Sequence, residues 1–190
     1  MLDRLTTAIV NCEVVPIKDK DGVVMYYYAV FPTNGVPFLE SGLLREIGCE
    51  MVRKMDLEKV DRIVVPEAMG IHIGSMLSLK TDIPLNIIRK RTFGLEGECT
   101  ILQETDHKEE PTKLYINGLE PGMKVVIVDD VISSGGTMRA ILDGLRSKQV
   151  EVVDVCAVIK RADPDIGRDY KYLVEVAVTD SGQVTILGFG

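Results

Sequence analysis

Residues 125–137 read VVIVDDVISSGGT, an apolar run that passes through two adjacent aspartates into a cluster of small hydroxyl and glycine residues. GMKVVIVDD reads as a buried strand and GGTMRAILDGLRSKQ as an amphipathic helix, so strand turns into helix through a glycine-rich loop. That unit belongs to sheets flanked by helices, and it commits the chain to the α/β class. Short Val/Ile runs alternate with helical stretches elsewhere, and the aromatic content is only 5% with no Trp, which disfavours a sandwich. With 190 residues and 46% hydrophobic content, one substantial core is expected, hence a single domain over residues 1–190.

Lys and Arg total 22 against 29 Asp and Glu, for a net charge of -7. No broad basic footprint for nucleic acid or an anionic membrane surface is expected from that balance, so an anionic ligand must be gripped locally. Cys12, Cys49, Cys99 and Cys156 lack CxxC spacing and signal neither a zinc site nor a disulfide framework. The start MLDRLTTAIVNCEVV lacks the basic opening and apolar core of an export signal. No apolar run approaches the roughly 20 residues that span a bilayer. The expectation is a cytoplasmic protein without membrane or nucleic-acid partners.

Along the chain, Leu2, Leu5, Ile9 and Val10 predict an opening helix, GVVMYYYAVF a strand, and residues 31–38 a turn-rich link. SGLLREIGCEMVRKM predicts a helix capped by Ser41, with Leu44, Ile47 and Met51 on one face. VDRIVVPEAMGIHIGSMLSLKTDIPLNIIRKR gives strand, loop, helix and strand, a βαβ unit if the strands are parallel. Residues 92–113, rich in glycine and glutamate, break this rhythm and read as a flexible flap. VEVVDVCAVIK is a further strand, and YLVEVAV with QVTILGFG a terminal pair.

The chemistry is concentrated at the opening segment. Ser133 and Ser134 offer hydroxyls, Gly135 and Gly136 let the backbone approach a ligand, and Thr137 opens a helix whose free amides and dipole favour a phosphate. No lysine follows in the GxxxxGK[ST] spacing, so a triphosphate loop is excluded. Asp129 and Asp130 would lie beside whatever the phosphate carries, and carboxylates accept hydrogen bonds from vicinal hydroxyls. Phosphate beside a diol points to a ribose 5-phosphate.

In this order of residues the sequence resembles the type I phosphoribosyltransferase family. NGLEPGMKVVIVDDVISSGGTM is similar to the adenine enzymes, and overall length and layout resemble the archaeal hypoxanthine/guanine enzymes of the purine branch. The resemblance implies a central parallel sheet flanked by helices, with a small hood near residues 23–40 and 160–190 and a flexible loop over 92–113. It implies that Asp129 and Asp130 hold the ribose hydroxyls of 5-phosphoribosyl 1-diphosphate (PRPP) and that Ser133, Ser134, Gly135, Gly136 and Thr137 hold its 5-phosphate.

The leaving pyrophosphate needs positive charge or aligned amides opposite. VVPEAMGI resembles the family's pyrophosphate loop, in which the peptide between Glu67 and Ala68 is often cis, with Met69 and Gly70 following. Related adenine enzymes carry arginine where this chain has Met69, which shifts the load to the Ala68 and Gly70 amides. The resemblance implies that Arg89 and Lys90 of IIRKR reach the pyrophosphate, in the same site or a neighbouring subunit's; read alone, such a triplet is a solvated strand end. Mg2+ is expected to arrive with PRPP, without direct protein ligands. His72 and His107 are too isolated for a metal site, and His72 reads as structural.

For the base, NGVPFLES resembles the hood of adenine enzymes, placing Phe38 as a stacking platform with Pro37 and Leu39 beside it. Read alone, Phe38 is equally a core residue under a loop. Lys160 stands where hypoxanthine/guanine enzymes carry a lysine that donates to the purine 6-oxo oxygen. An ammonium donates without accepting, so it favours a carbonyl over adenine's amine. The rival reading is a plain surface charge. For proton transfer Glu104 is the first candidate, with Glu96, Glu98 and Asp106 as alternatives. The implied activity is transfer of hypoxanthine or guanine to PRPP by a magnesium-dependent homodimer. Adenine transfer and a non-catalytic PRPP-sensing regulator are the alternatives.

Overall fold

The computed structural model describes residues 2–103 and 111–190. Helix α1 (Asp3–Val10) buries Leu5 and Ile9, while Val10 turns out to solvent rather than onto the apolar face. A two-stranded antiparallel ribbon follows, β1 (Val14–Lys18) with β2 (Val24–Ala29). Only β2 is legible in the sequence, because β1 is interrupted by Pro16 and largely exposed. A single 3-10 turn, Pro32–Asn34, leads to α2 (Ser41–Lys54), which buries Leu43, Ile47, Gly48 and Met51. Ser41 lies inside the helix and does not cap it; Glu40 holds the capping position. Glu46 of α2 instead accepts from the backbone amides of Arg4 and Leu5, satisfying free donors at the start of α1.

The central sheet has the order β10-β9-β8-β7-β3-β4. Its members are β3 (Arg62–Pro66), β4 (Leu85–Ile88), β7 (Lys124–Ile132), β8 (Glu151–Lys160), β9 (Lys171–Val178) and β10 (Val184–Phe189). All neighbouring pairs are parallel except β9 with β10. Strands β3 and β7 are apolar without alternation because helices cover both sides of the sheet. Val126 and Val128 face one cluster with α1, α2 and Ile73 and Leu77 of α3 (Gly70–Thr81). Val125 and Ile127 face the other, with Met138, Ile141 and Leu145 of α4 (Gly136–Ser147).

Two expectations change. Residues 171–189, assigned to the hood, extend the central sheet instead, because β9 pairs in parallel with the apolar edge of β8. Within 92–113 the chain forms strand β5 (Cys99–Gln103), paired antiparallel with β6 (Thr112–Ile116), and buries Ile101 and Leu114 against α4. Polar composition hid the alternation of Ile101 with exposed neighbours.

Candidate active site

The strand order sets the place. The connection from β3 through α3 leads outward to β4, and the connection from β7 through α4 leads the other way to β8, so the chain direction switches between β3 and β7. Pairing of β3 with β7 is confined to Arg62–Val64 against Val125–Ile127; beyond it β3 stays with β4 and β7 stays with β8. The two strands therefore part toward their carboxyl ends, opening the crevice in which ligands of such sheets bind.

Asp129 and Asp130 line that opening, 9% and 8% exposed. They lie within β7 rather than at its end, because pairing with β8 continues to Ile132 opposite Lys160. The Asp130 amide donates to Asp129 Oδ1 at 2.8 Å, and Asp130 Oδ2 accepts from the Thr33 hydroxyl at 3.2 Å. Burial pushes the Asp129 carboxyl well above its ordinary range and the Asp130 charge adds to this, while the Lys90 ammonium works against them. Asp130 is also raised by burial, against hydrogen bonds from Asp129 and Thr33. Two carboxyls this close titrate together, and burial disfavours the charge on each. His72 of α3 faces the same carboxylate; burial holds its imidazole below the ordinary value, opposed by the Asp130 charge and a hydrogen bond to the Thr33 backbone. The structural reading of His72 gains a site neighbour.

Ser133 and Ser134 are exposed at the turn after β7. Gly135 has φ +78 and caps α4, which begins at Gly136, one residue before Thr137. A Cβ on Gly135 would lie 2.7 Å from the Arg139 guanidinium and 2.9 Å from Pro164, so glycine is required on both backbone and steric grounds. No side chain caps α4 among the described residues, which leaves its first amides available. The Thr137 hydroxyl accepts from Gln103 Nε2 at 2.6 Å.

On the opposite wall the Glu67–Ala68 peptide is cis. Met69 precedes α3, and a Cβ on Gly70 would lie 3.2 Å from the Val128 carbonyl, so this loop sits directly beside β7. Glu67 does not face the crevice as a free carboxylate: it pairs with Arg89 Nε at 3.3 Å and accepts from the Lys90 amide at 3.1 Å. The Arg89 backbone exchanges hydrogen bonds with Tyr115 of β6, which fixes the cationic segment from the other side. The Lys90 charge is felt at Asp129, which puts the basic segment on the same side of the sheet as the acid pair.

The base residues are less tightly assembled. Phe38 is 68% exposed, which overturns the buried-core alternative; with Pro37 it borders a cavity of about 980 Å³ that also meets Thr7, Asn11 and Leu43. Leu39 packs partly against the core. Lys160 is 8% exposed, which overturns the surface-charge reading. Its ammonium lies 2.9 Å from Asp163 and 3.5 Å from Glu175, with the Tyr172 ring 4.9 Å away. Phe38 and Lys160 line different cavities. Another cavity of about 630 Å³ reaches Ser133, between Tyr26, Tyr27 and Arg161.

Glu104, with Asp106 and His107, lies outside the described residues. Glu98 is a structural acceptor: the Thr92 hydroxyl, the Phe93 amide and the Asn117 side chain all donate to it. These bonds lower its carboxyl to about 2, so it carries no proton to exchange near neutrality. Thr33, His72 and Gln103 carry no signal in sequence; each meets the site only through folding, across turns and helices remote along the chain.

A phosphoribosyl transferase domain model matches residues 43–185. A hypoxanthine/guanine phosphoribosyltransferase from Methanosphaerula palustris is 52% identical over 95% of each chain. An HGPRTase-like protein from Halobacterium salinarum is 46% identical, covering 98% of this chain and 97% of its own. Among solved structures, an adenine phosphoribosyltransferase from Thermoanaerobacter pseudethanolicus superposes with a TM-score of 0.72 at 18% identity, covering 93% of this chain and 99% of that one.

Proposed function

The chain belongs to the phosphoribosyltransferase family, and from that premise we propose that it is a purine-salvage enzyme that joins hypoxanthine or guanine to PRPP. The observation that carries the reading is the buried Asp129/Asp130 pair in a crevice whose next element is the uncapped, glycine-lined start of α4. The relatives named as hypoxanthine/guanine enzymes support the choice of base. In the reaction the purine N9–C1′ bond forms as the bond from C1′ to the pyrophosphate oxygen breaks, and the proton leaves the imidazole ring of the base.

Asp129 and Asp130 accept from the ribose hydroxyls; residues 133–137 hold the 5-phosphate. The Ala68 and Gly70 amides with Arg89 and Lys90 take the pyrophosphate, and Glu67 keeps those two residues in place. The two buried carboxylates lie beside the diol and suit a hard cation held by PRPP itself; Mg2+ would enter bound to PRPP, without direct protein ligands, and would offset charge on the leaving group. Lys160 has three donors and engages two carboxylates, which leaves one for a 6-oxo oxygen. Phe38 supplies stacking area and Leu39 supports it from the core side. Glu104 is the proton-transfer candidate. A cytoplasmic homodimer completes the reading, and four free cysteines suit a reducing compartment.

Turnover is measured with PRPP, Mg2+ and each of hypoxanthine, guanine, xanthine and adenine. Activity on a 6-oxopurine, lost relative to adenine in Lys160→Met, is expected. Activity on adenine alone overturns the base assignment, and no turnover together with tight operator binding favours the regulator.

A further inference from the structure

The ribbon β5–β6 lies against α4 because Gly144 has no side chain: a Cβ there would stand 2.5 Å from Ile101 Cγ2. Residues 137, 141 and 144 follow the helical i, i+4, i+7 spacing and share a face, which puts Thr137 two turns, about 10.5 Å, upstream of that seat. Gln103 shares the strand face of Ile101, since side chains alternate, and its long amide bridges the remaining distance toward the helix start. The result is the 2.6 Å hydrogen bond from Gln103 Nε2 to Thr137 Oγ1.

A threonine hydroxyl owns one hydrogen and can accept through its lone pairs, whereas an amide nitrogen only donates. With Gln103 donating, the Thr137 oxygen is the acceptor and its single hydrogen is released to point elsewhere. We infer that Gln103 is a positioning residue that turns the Thr137 hydroxyl hydrogen toward the bound 5-phosphate. The inference rests on the phosphate-loop reading above. Gln103 also ties the end of β5 to the start of α4.

The test is ribose 5-phosphate binding by calorimetry for the wild type, Gln103→Met, Gln103→Glu, Thr137→Val and the Gln103→Met/Thr137→Val double variant, with steady-state kinetics on PRPP beside it. Gln103→Met is expected to weaken binding several-fold, with the loss appearing in KM for PRPP more than in kcat. That loss should vanish in the Thr137→Val background, because there is no hydroxyl left to orient. Gln103→Glu is expected to bind no better than Thr137→Val, since a carboxylate draws the hydroxyl hydrogen to itself. Wild-type affinity in Gln103→Met, an equal loss in both backgrounds, or a loss confined to kcat overturns the inference and leaves the phosphate site standing. A wild type that does not bind ribose 5-phosphate overturns the phosphate site itself, and the inference with it.

Discussion

The hydroxyl of Thr33 donates to Asp130 Oδ2 across 3.2 Å, joining the 3-10 turn after β2 to the acid pair on β7, 97 residues away. Thr33 is fully buried, so the bond is not exchanged for water. Thr33→Val keeps the shape and removes one donor to a buried carboxyl, at a cost of about 1–3 kcal/mol. KM for PRPP is expected to rise by about tenfold on that scale. Thr33→Ser, which restores the hydroxyl, should recover most of it.

Raised carboxyls at Asp129 and Asp130 make PRPP binding pH-dependent. Ionised carboxylates are the stronger acceptors for ribose hydroxyls, so binding favours loss of a proton from the raised pair. Affinity should therefore increase as pH rises through the raised Asp129 range. Calorimetry in buffers of different ionisation enthalpy should count protons released below that range and fewer above it.

The same shift has a stability consequence. A carboxyl whose folded pKa lies above its unfolded value contributes stability that is complete below the unfolded pKa and is lost as pH rises through the folded one. The unliganded wild type should thus lose thermal stability across that window relative to Asp129→Asn. At alkaline pH Asp129→Asn should be the more stable protein, by about 1 kcal/mol, while turnover collapses. Melting curves over pH for the two proteins decide this.

Gly135→Ala introduces a methyl group at φ +78 and against Pro164 and Arg139. A left-handed alanine costs of order 1–3 kcal/mol, and the clash displaces the amides that start α4. KM for PRPP should rise at least tenfold, with binding of a free purine base left unchanged in equilibrium dialysis.

Glu98 has the opposite sign from the acid pair. Its carboxyl is lowered from 4.5 to about 2, chiefly by the Thr92 hydroxyl and the Phe93 amide. A depressed carboxyl stabilises above the unfolded pKa and stops doing so as pH falls through the folded one. The protection factor of the Phe93 amide, its exchange rate relative to an unstructured chain at the same pH, should fall between pH 4.5 and about 2, and Glu98→Gln should leave the shape of the pH–rate profile near neutrality unaltered. A profile that loses its limb in Glu98→Gln would return this residue to the proton-transfer role.

Much of the candidate site could be read in the sequence because its parts are contiguous. Residues 125–137 contain strand, acids, turn and helix start in one run, and periodicity and turn chemistry act over such short distances. The same holds for the loop at 66–70 and the basic triplet at 89–91. What escaped was set by partners far along the chain. Glu67 looks like a ligand residue until Arg89 and Lys90 are found on its carboxylate. For Lys160 the sequence leaves a base donor and a solvated charge both open, and burial beside Glu175 of β9 removes the second. The ribbon β5–β6 depends on a glycine in α4 that no local pattern in residues 92–113 announces.

Sequence alone determined the α/β class, the glycine-rich strand-to-helix turn and the position of the acid pair before it, since hydrophobic period and glycine placement are local constraints on the backbone. Tertiary structure decided which of those groups share charge and hydrogen bonds: the splitting of β3 from β7, the Thr33 bond to Asp130, and the Gln103 bond to Thr137. The reason is physical. Burial and electrostatic coupling depend on distances through space, and those distances exist only once both faces of the sheet have been covered.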